Sequence, residues 1–189
     1  MKSFFRCGGF LLIALWLALP LAAGPISYTM TGSLSGSLGT APVTDAAFTF
    51  AFYGDTTNIT GTNPLLNPAI SNSISISGFG SGQFTQVIDV GVNPASGIGG
   101  FSGITTFEAL TFHNDGFVGW DLATPIGPLT SASPFYAAGS FTTSLGTLAI
   151  TGAQGLSFEA TTVPEPATVA LTGLALLFVA GFRMSRAKR

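Results

Sequence analysis

Ala47-Phe48-Thr49-Phe50-Ala51-Phe52-Tyr53 places phenylalanine at every second position, with small or polar residues between. Side chains alternate faces with period two only on an extended strand. On a helix the middle ring would point away from the other two. This stretch therefore reads as a strand with one buried and one wet face, and its neighbours repeat the pattern. Ile74 and Ile76 alternate with Ser73, Ser75 and Ser77. Phe84, Ile88 and Val90 share a face over 83–90, and Val118, Trp120 and Leu122 share one over 117–122. Leu148 and Ile150 follow a Ser144-Leu145-Gly146 turn, and Leu156, Phe158 and Ala160 close the pattern. Further strands over 26–34, 105–112 and 139–143 bring the expected number to about nine.

Turn dipeptides punctuate these runs: Gly54-Asp55, Asn63-Pro64, Asn67-Pro68, Asn93-Pro94, Gly99-Gly100, Gly127-Pro128 and Ser133-Pro134. No stretch of the body repeats its apolar residues at 3.6. The expected fold is all-β, an antiparallel β-sandwich or jelly roll around a phenylalanine-rich core. The stretches 58–70 and 123–136 read as its longest surface loops. The local repeat over 32–39 reads as a strand edge or turn.

Charge is distributed unevenly. Charged residues make up 7% of the 189, against about 25% in ordinary domains. Lys2 and Arg6 precede the first apolar run, while Arg183, Arg186, Lys188 and Arg189 follow the last. No Lys or Arg lies between Cys7 and Phe182, and all eight acids fall inside that gap. A body without cations has nothing to neutralise phosphate, which argues against nucleic-acid binding. The single cysteine, Cys7, lies before the body, so the body has no thiol for a disulfide, a metal or a nucleophile.

The two ends read as targeting segments. Residues 1–23 have a positive start, a leucine-rich apolar stretch and the helix breaker Pro20 before Ala22-Ala23. This is a signal-peptide layout with cleavage expected between Ala23 and Gly24 by signal peptidase. Body residues 24–162 follow, then a tail over 163–189. In the tail an uncharged run over 167–182 would reach about 24 Å as a helix, close to a ~30 Å bilayer core. One C-terminal transmembrane helix is expected there, with the basic end 183–189 held in the cytoplasm. Val163-Pro164-Glu165-Pro166 precedes it, and its two prolines keep the backbone extended.

Val163-Pro164-Glu165-Pro166-Ala167-Thr168, the apolar segment with Leu171-Thr172-Gly173-Leu174, and the basic end from Arg183 to Arg189 resemble the PEP-CTERM sorting domain. The resemblance covers the tail only, and the basic residues are more spread out than in the family's Arg cluster. It implies recognition by exosortase, a membrane transpeptidase-like enzyme that cuts at or near Pro-Glu-Pro. It also implies an inner-membrane precursor with its body in the periplasm, and a mature form at the cell surface or secreted. The expected setting is a Gram-negative bacterium that makes exopolysaccharide.

Chemistry in the body is sparse. Its one histidine, His113, sits in the turn Phe112-His113-Asn114-Asp115-Gly116. A hydrolase would need Glu108, His113, Asp115 or Asp121 to meet in one cleft. Asp115 and Asp121 are weak calcium candidates, since the dense acidic calcium loop is missing. Trp120, Tyr28, Tyr53 and Tyr136 are the rings available for sugar stacking, although the alternation assigns Trp120 to the core. No enzyme activity, cofactor or resident metal is expected. The leading expectation is a structural or interaction protein of the surface or matrix, partnered by exopolysaccharide or by itself. A glycan-binding module is the next alternative and a secreted hydrolase the third.

Overall fold

The computed structural model describes residues 24–103 and 109–163. The expected signal peptide over 1–23, Glu108, Pro164, Glu165, Pro166, the helix over 167–182, and Arg183, Arg186, Lys188 and Arg189 lie outside the described residues. Among the described residues no helix is long and apolar enough to cross a membrane.

Twelve strands follow one another: β1 Pro25–Leu38, β2 Ala41–Asp55, β3 Thr60–Gly61, β4 Leu65–Pro68, β5 Ser71–Ile76, β6 Gly80–Gly82, β7 Ile88–Asn93, β8 Ile98–Gly103, β9 Ala109–His113, β10 Ile126–Ser131, β11 Tyr136–Thr143 and β12 Gly146–Thr162. They form one antiparallel sheet in the order β3-β4-β7-β8-β9-β11-β12-β1-β2-β5-β6, with β10 also on β12. The chain turns a corner at two places, within β11 and between β4 and β5, which is how a sheet wraps around a core. The start of β11 pairs with β9 through Tyr136↔Thr111, and its end pairs with β12 through Gly139↔Ile150. Across the molecule, β4 pairs with β7 up to Pro68↔Asp89, and β5 pairs with β2 from Ser71↔Tyr53. Between them Ala69 N–H donates to the Ile88 carbonyl at 2.9 Å and Ile70 N–H to the Tyr53 carbonyl at 2.7 Å. The pairing thus closes into a ring with two leaves. One leaf contains β2, β1 and β12; the other contains β7, β8 and β9.

The alternating rings fill the space between the leaves. Phe50 and Phe52 of β2 meet Phe101 of β8 at centroid distances of 5.2 and 5.1 Å. Phe84 and Phe141 join the same cluster, at 5.2 Å from Phe50 and 5.6 Å from Phe101 respectively. A second cluster packs Phe158 of β12 against Phe117 at 5.4 Å and Trp120 at 5.7 Å. Offset and edge-on ring pairs of this kind add to the area they remove from water.

Four local expectations are corrected. The strand over 83–90 is broken: β6 ends at Gly82, and Phe84 makes only a single bridge, to Thr143. The Asn72 side chain accepts from Phe84 N–H at 2.7 Å and donates to its carbonyl at 3.3 Å, taking over both backbone groups. The strand over 117–122 is instead a 3-10 turn, Asp115–Phe117, followed by irregular chain. Gly119 and Leu122 there take φ of 73° and 61°, outside the strand region, and Val118 turns outward at 57% exposure. The repeat over 32–39, read as a strand edge or turn, lies mostly inside β1, which is paired on both sides and so is no edge, with bulges near Gly32 and Gly36. A Cβ at Gly36 would fall on the Ala149 carbonyl, which explains a glycine in a central strand. The presumed loops 58–70 and 123–136 contain β3, β4 and β10, β6 and β8 are further strands, and 148–150 and 156–160 belong to the single strand β12, so twelve strands stand among the described residues where about nine were expected.

Candidate sorting junction and surface groove

The folded body begins and ends at one place. β12 runs to Thr162, which pairs with Ile26 of β1. Val163 N–H then donates to the Pro25 carbonyl at 2.9 Å. Gly24, the expected first residue after leader removal, is tied to the body as well. Its N–H donates to Thr56 Oγ1 at 2.9 Å and its carbonyl accepts from Thr56 N–H at 3.2 Å. Residues flanking the expected leader cut and the Pro-Glu-Pro element therefore sit side by side on adjacent strands. No linker separates the sheet from Pro164.

Among the described residues, the sequence candidates for chemistry do not form a centre; Glu108 lies outside them. His113 Nε2 lies 3.9 Å from Asp115 Oδ1, and both side chains face solvent. Asp121 is used locally: its Oδ1 accepts from Ala123 N–H, Thr124 N–H and Thr124 Oγ1, each at 2.9 Å. Partial burial opposes its ionised form, but these hydrogen bonds outweigh that and hold the carboxyl below its usual range. Asp55 caps the 3-10 turn Thr56–Asn58 by accepting from Thr57 N–H at 2.8 Å and Thr57 Oγ1 at 2.7 Å, which lowers its pKa too. Among the described residues no three His, Cys, Asp or Glu side chains are grouped to hold a metal ion.

Of the four candidate stacking rings, Tyr28 and Trp120 belong to the core. Tyr28 Oη donates to the Leu122 carbonyl and accepts from Asn67 Nδ2, both at 2.7 Å. Burial, partly offset by the Asn67 hydrogen bond, pushes the Tyr28 hydroxyl up to about 12. Trp120 donates its indole N–H to the Thr124 carbonyl at 2.9 Å. Tyr53 and Tyr136 remain on the surface, each 43% exposed.

A groove that the sequence did not reveal lies on the outer face of the β7–β8–β9 leaf. Its volume is about 250 Å³. Register makes it: Leu66, Gly91, Gly100 and Thr111 face one another across four strands, with Tyr136 next in the row. The two glycines leave a floor bare of side chains, with Leu66 on one side and Thr111 on the other. Asn93 and Ile98 lie at one end and Ser102 at the other. Asp89, paired with Ser102, shares this outer face because Ile88 and Val90 point into the core. It is only 7% exposed, its Oδ1 has no hydrogen-bond partner, and burial raises its pKa.

No curated protein and no solved structure matches the chain. The family model for the PEP-CTERM protein-sorting motif matches residues 162–187, starting at the last residue of β12. The chain therefore carries that motif in its C-terminal tail, which marks it as an exported protein, made as a membrane-anchored precursor and processed by exosortase.

Proposed function

We propose that this chain is a non-catalytic structural or interaction protein of the cell surface or extracellular matrix, released or attached there by exosortase-type handling. The sorting motif at 162–187 carries this reading, because the whole folded body precedes it. The body's lack of Lys, Arg and Cys supports a structural rather than a reactive role. In this reading the precursor holds its body in the periplasm, between the leader and the tail. The test is replacement of Pro164, Glu165 and Pro166 by alanine, followed by fractionation and immunoblotting. Full-length protein should accumulate in the membrane fraction. Unchanged tail removal and release would defeat the proposal.

A second reading, that the body binds neutral polysaccharide of the matrix, is supported by the rings of Tyr53 and Tyr136, which remain on the surface. Self-association is also compatible with the exposed edge strand β6, Gly80–Gly82, which has no lysine to discourage edge pairing.

A further inference from the structure

The chain leaves the folded body without slack. Thr162 ends β12, and Val163 is held to Pro25 by its N–H. Residues 164–166 alone separate Val163 from the uncharged run that starts at Ala167. Three residues reach at most about 11 Å even when fully extended, and the headgroup layer on each side of a bilayer is about 5–7 Å deep. As a helix, the run over 167–182 is already short for the hydrocarbon core, so it has no length to give to the connection. In the membrane-anchored precursor the Val163 end of the body therefore sits at the headgroups.

That end carries an apolar patch. Among the described residues six large apolar or aromatic side chains stand out into solvent, and three of them, Tyr53, Ile70 and Val87, gather here. Register puts them there. Thr162 pairs with Ile26 and Ile26 with Gly54, so one rung of the sheet runs across from the exit point. Ile70 continues the rung past Gly54, since Ser71 pairs with Tyr53 and Ile70 N–H donates to the Tyr53 carbonyl. On its other side the pairing of Pro68 with Asp89 runs on through Ala69 and Ile88, which sets Val87 opposite Ile70. At about 4.8 Å per strand, Ile70 lies about 14 Å and Val87 about 19 Å along the sheet from Thr162, at the same level. They are 67% and 56% exposed. A single exposed isoleucine needs no account, but three such side chains grouped where an anchored chain exits point to a surface that covers them.

We propose that this end of the body, with Ile70 and Val87 at its centre and Tyr53 beside them, is a membrane-contact surface that seats the precursor on the bilayer. This rests on the membrane-anchored precursor and adds how the body sits on it. The body has no Lys or Arg to attract anionic headgroups, and Asp55 lies on the neighbouring rung, so the contact is apolar and favours zwitterionic lipid. Tyrosine suits the boundary because its ring is apolar and its hydroxyl wet. Even one myristoyl chain binds a membrane only marginally, so side chains this few hold only while the tail keeps them close. The contact steadies the Pro-Glu-Pro element at the membrane face before the cut and lets the body go after it.

The test reconstitutes the full chain, with Cys7→Ser, in phosphatidylcholine vesicles. Ser71→Cys, Thr40→Cys and Ala175→Cys, made one at a time, each carry a polarity-sensitive dye. Position 71 lies beside Ile70, position 40 just past the far end of β1, and position 175 in the tail. A nitroxide at headgroup level should quench the dye at 71 several-fold more than at 40, and an acyl-chain nitroxide should quench it at 175. Adding Ile70→Ser with Val87→Ser should leave circular dichroism unchanged, because both side chains are exposed. Quenching at 71 should then fall several-fold, toward the level at 40. Quenching at 71 that survives the double substitution would overturn the role of these side chains. Quenching at 175 with no difference between 71 and 40 would overturn the contact and leave the anchored precursor standing. No quenching at 175 would overturn both, and quenching at 71 only when phosphatidylglycerol is added would overturn the apolar basis.

Discussion

Tyr28→Phe removes one oxygen and leaves the ring. That oxygen joins three separate parts of the body: Tyr28 on β1, Asn67 on β4 and the carbonyl of Leu122. Tyr28 and Asn67 are both fully buried. Asn67 is already short of partners, since its Oδ1 has none. Without the hydroxyl, Asn67 loses its remaining side-chain partner and Leu122 loses a donor. Each buried polar group left unsatisfied costs about 1–3 kcal/mol, so the variant should lose about 2–4 kcal/mol. With an unfolding entropy near 2.1 cal/mol/K per residue, a body of about 140 residues loses about 0.3 kcal/mol per degree, so the melting temperature should fall by about 7–14 °C. Thermal unfolding followed by far-ultraviolet circular dichroism measures it. A second readout comes from pH. Because the folded pKa of about 12 exceeds the ordinary tyrosine value of 10.0, the hydroxyl's contribution is fully present below pH 10. It is lost as pH rises through about 12. The wild type should therefore show an alkaline loss of stability in that window that Tyr28→Phe lacks. A melting temperature within a degree or two of wild type, or identical alkaline profiles, would refute the role assigned to this network.

Two other substitutions address the core and the groove. Asp89→Asn should raise the melting temperature at neutral pH. Burial raises the folded pKa, so the ionised carboxylate weakens the fold as pH climbs above the usual value of about 4, and the difference should vanish in acid, where the wild-type carboxyl is protonated. A gain that persists unchanged at acid pH would count against it. Phe101→Ala should cost about 3–5 kcal/mol by chemical denaturation, because that ring touches Phe50, Phe52, Phe84 and Phe141; a loss below about 1 kcal/mol would show that the two leaves do not meet there.

Where one face of a strand is dry and the other wet, period-two alternation exposes the strand directly, and 47–53 is such a case. Phe48, Phe50 and Phe52 are all buried and Tyr53 is exposed. The pattern misled over 117–122 because alternating apolar letters do not report φ, and Gly119 and Leu122 adopt conformations no strand allows. It missed β10, whose apolar content is slight and whose Gly127-Pro128 pair signals a turn. That strand exists because β12, far along the chain, supplies its partner through Leu129↔Phe158. The groove was illegible for a different reason. Its floor is a lack of side chains, and Gly91 and Gly100 become neighbours only through the register of β7 and β8. Asp89 could have been placed on the outer face by its position between Ile88 and Val90, but its burial depends on the packed structure. The sorting tail, by contrast, is contiguous in sequence, so its residues suffice to identify it.

The side-by-side exit of the two chain ends has a mechanical consequence. β1 and β12 are antiparallel, and Pro25 and Val163 lie at the same end of their ladder. Tension applied between Gly24 and Val163 would load that ladder one rung at a time, starting with the Val163–Pro25 hydrogen bond, so the sheet would open like a zipper at low force. Tension drawn from Val163 alone crosses no rung. In the proposed precursor, a cut between Ala23 and Gly24 would turn a weakly resisting double tether into a single suspension point at Val163, where a pull crosses no rung of the sheet.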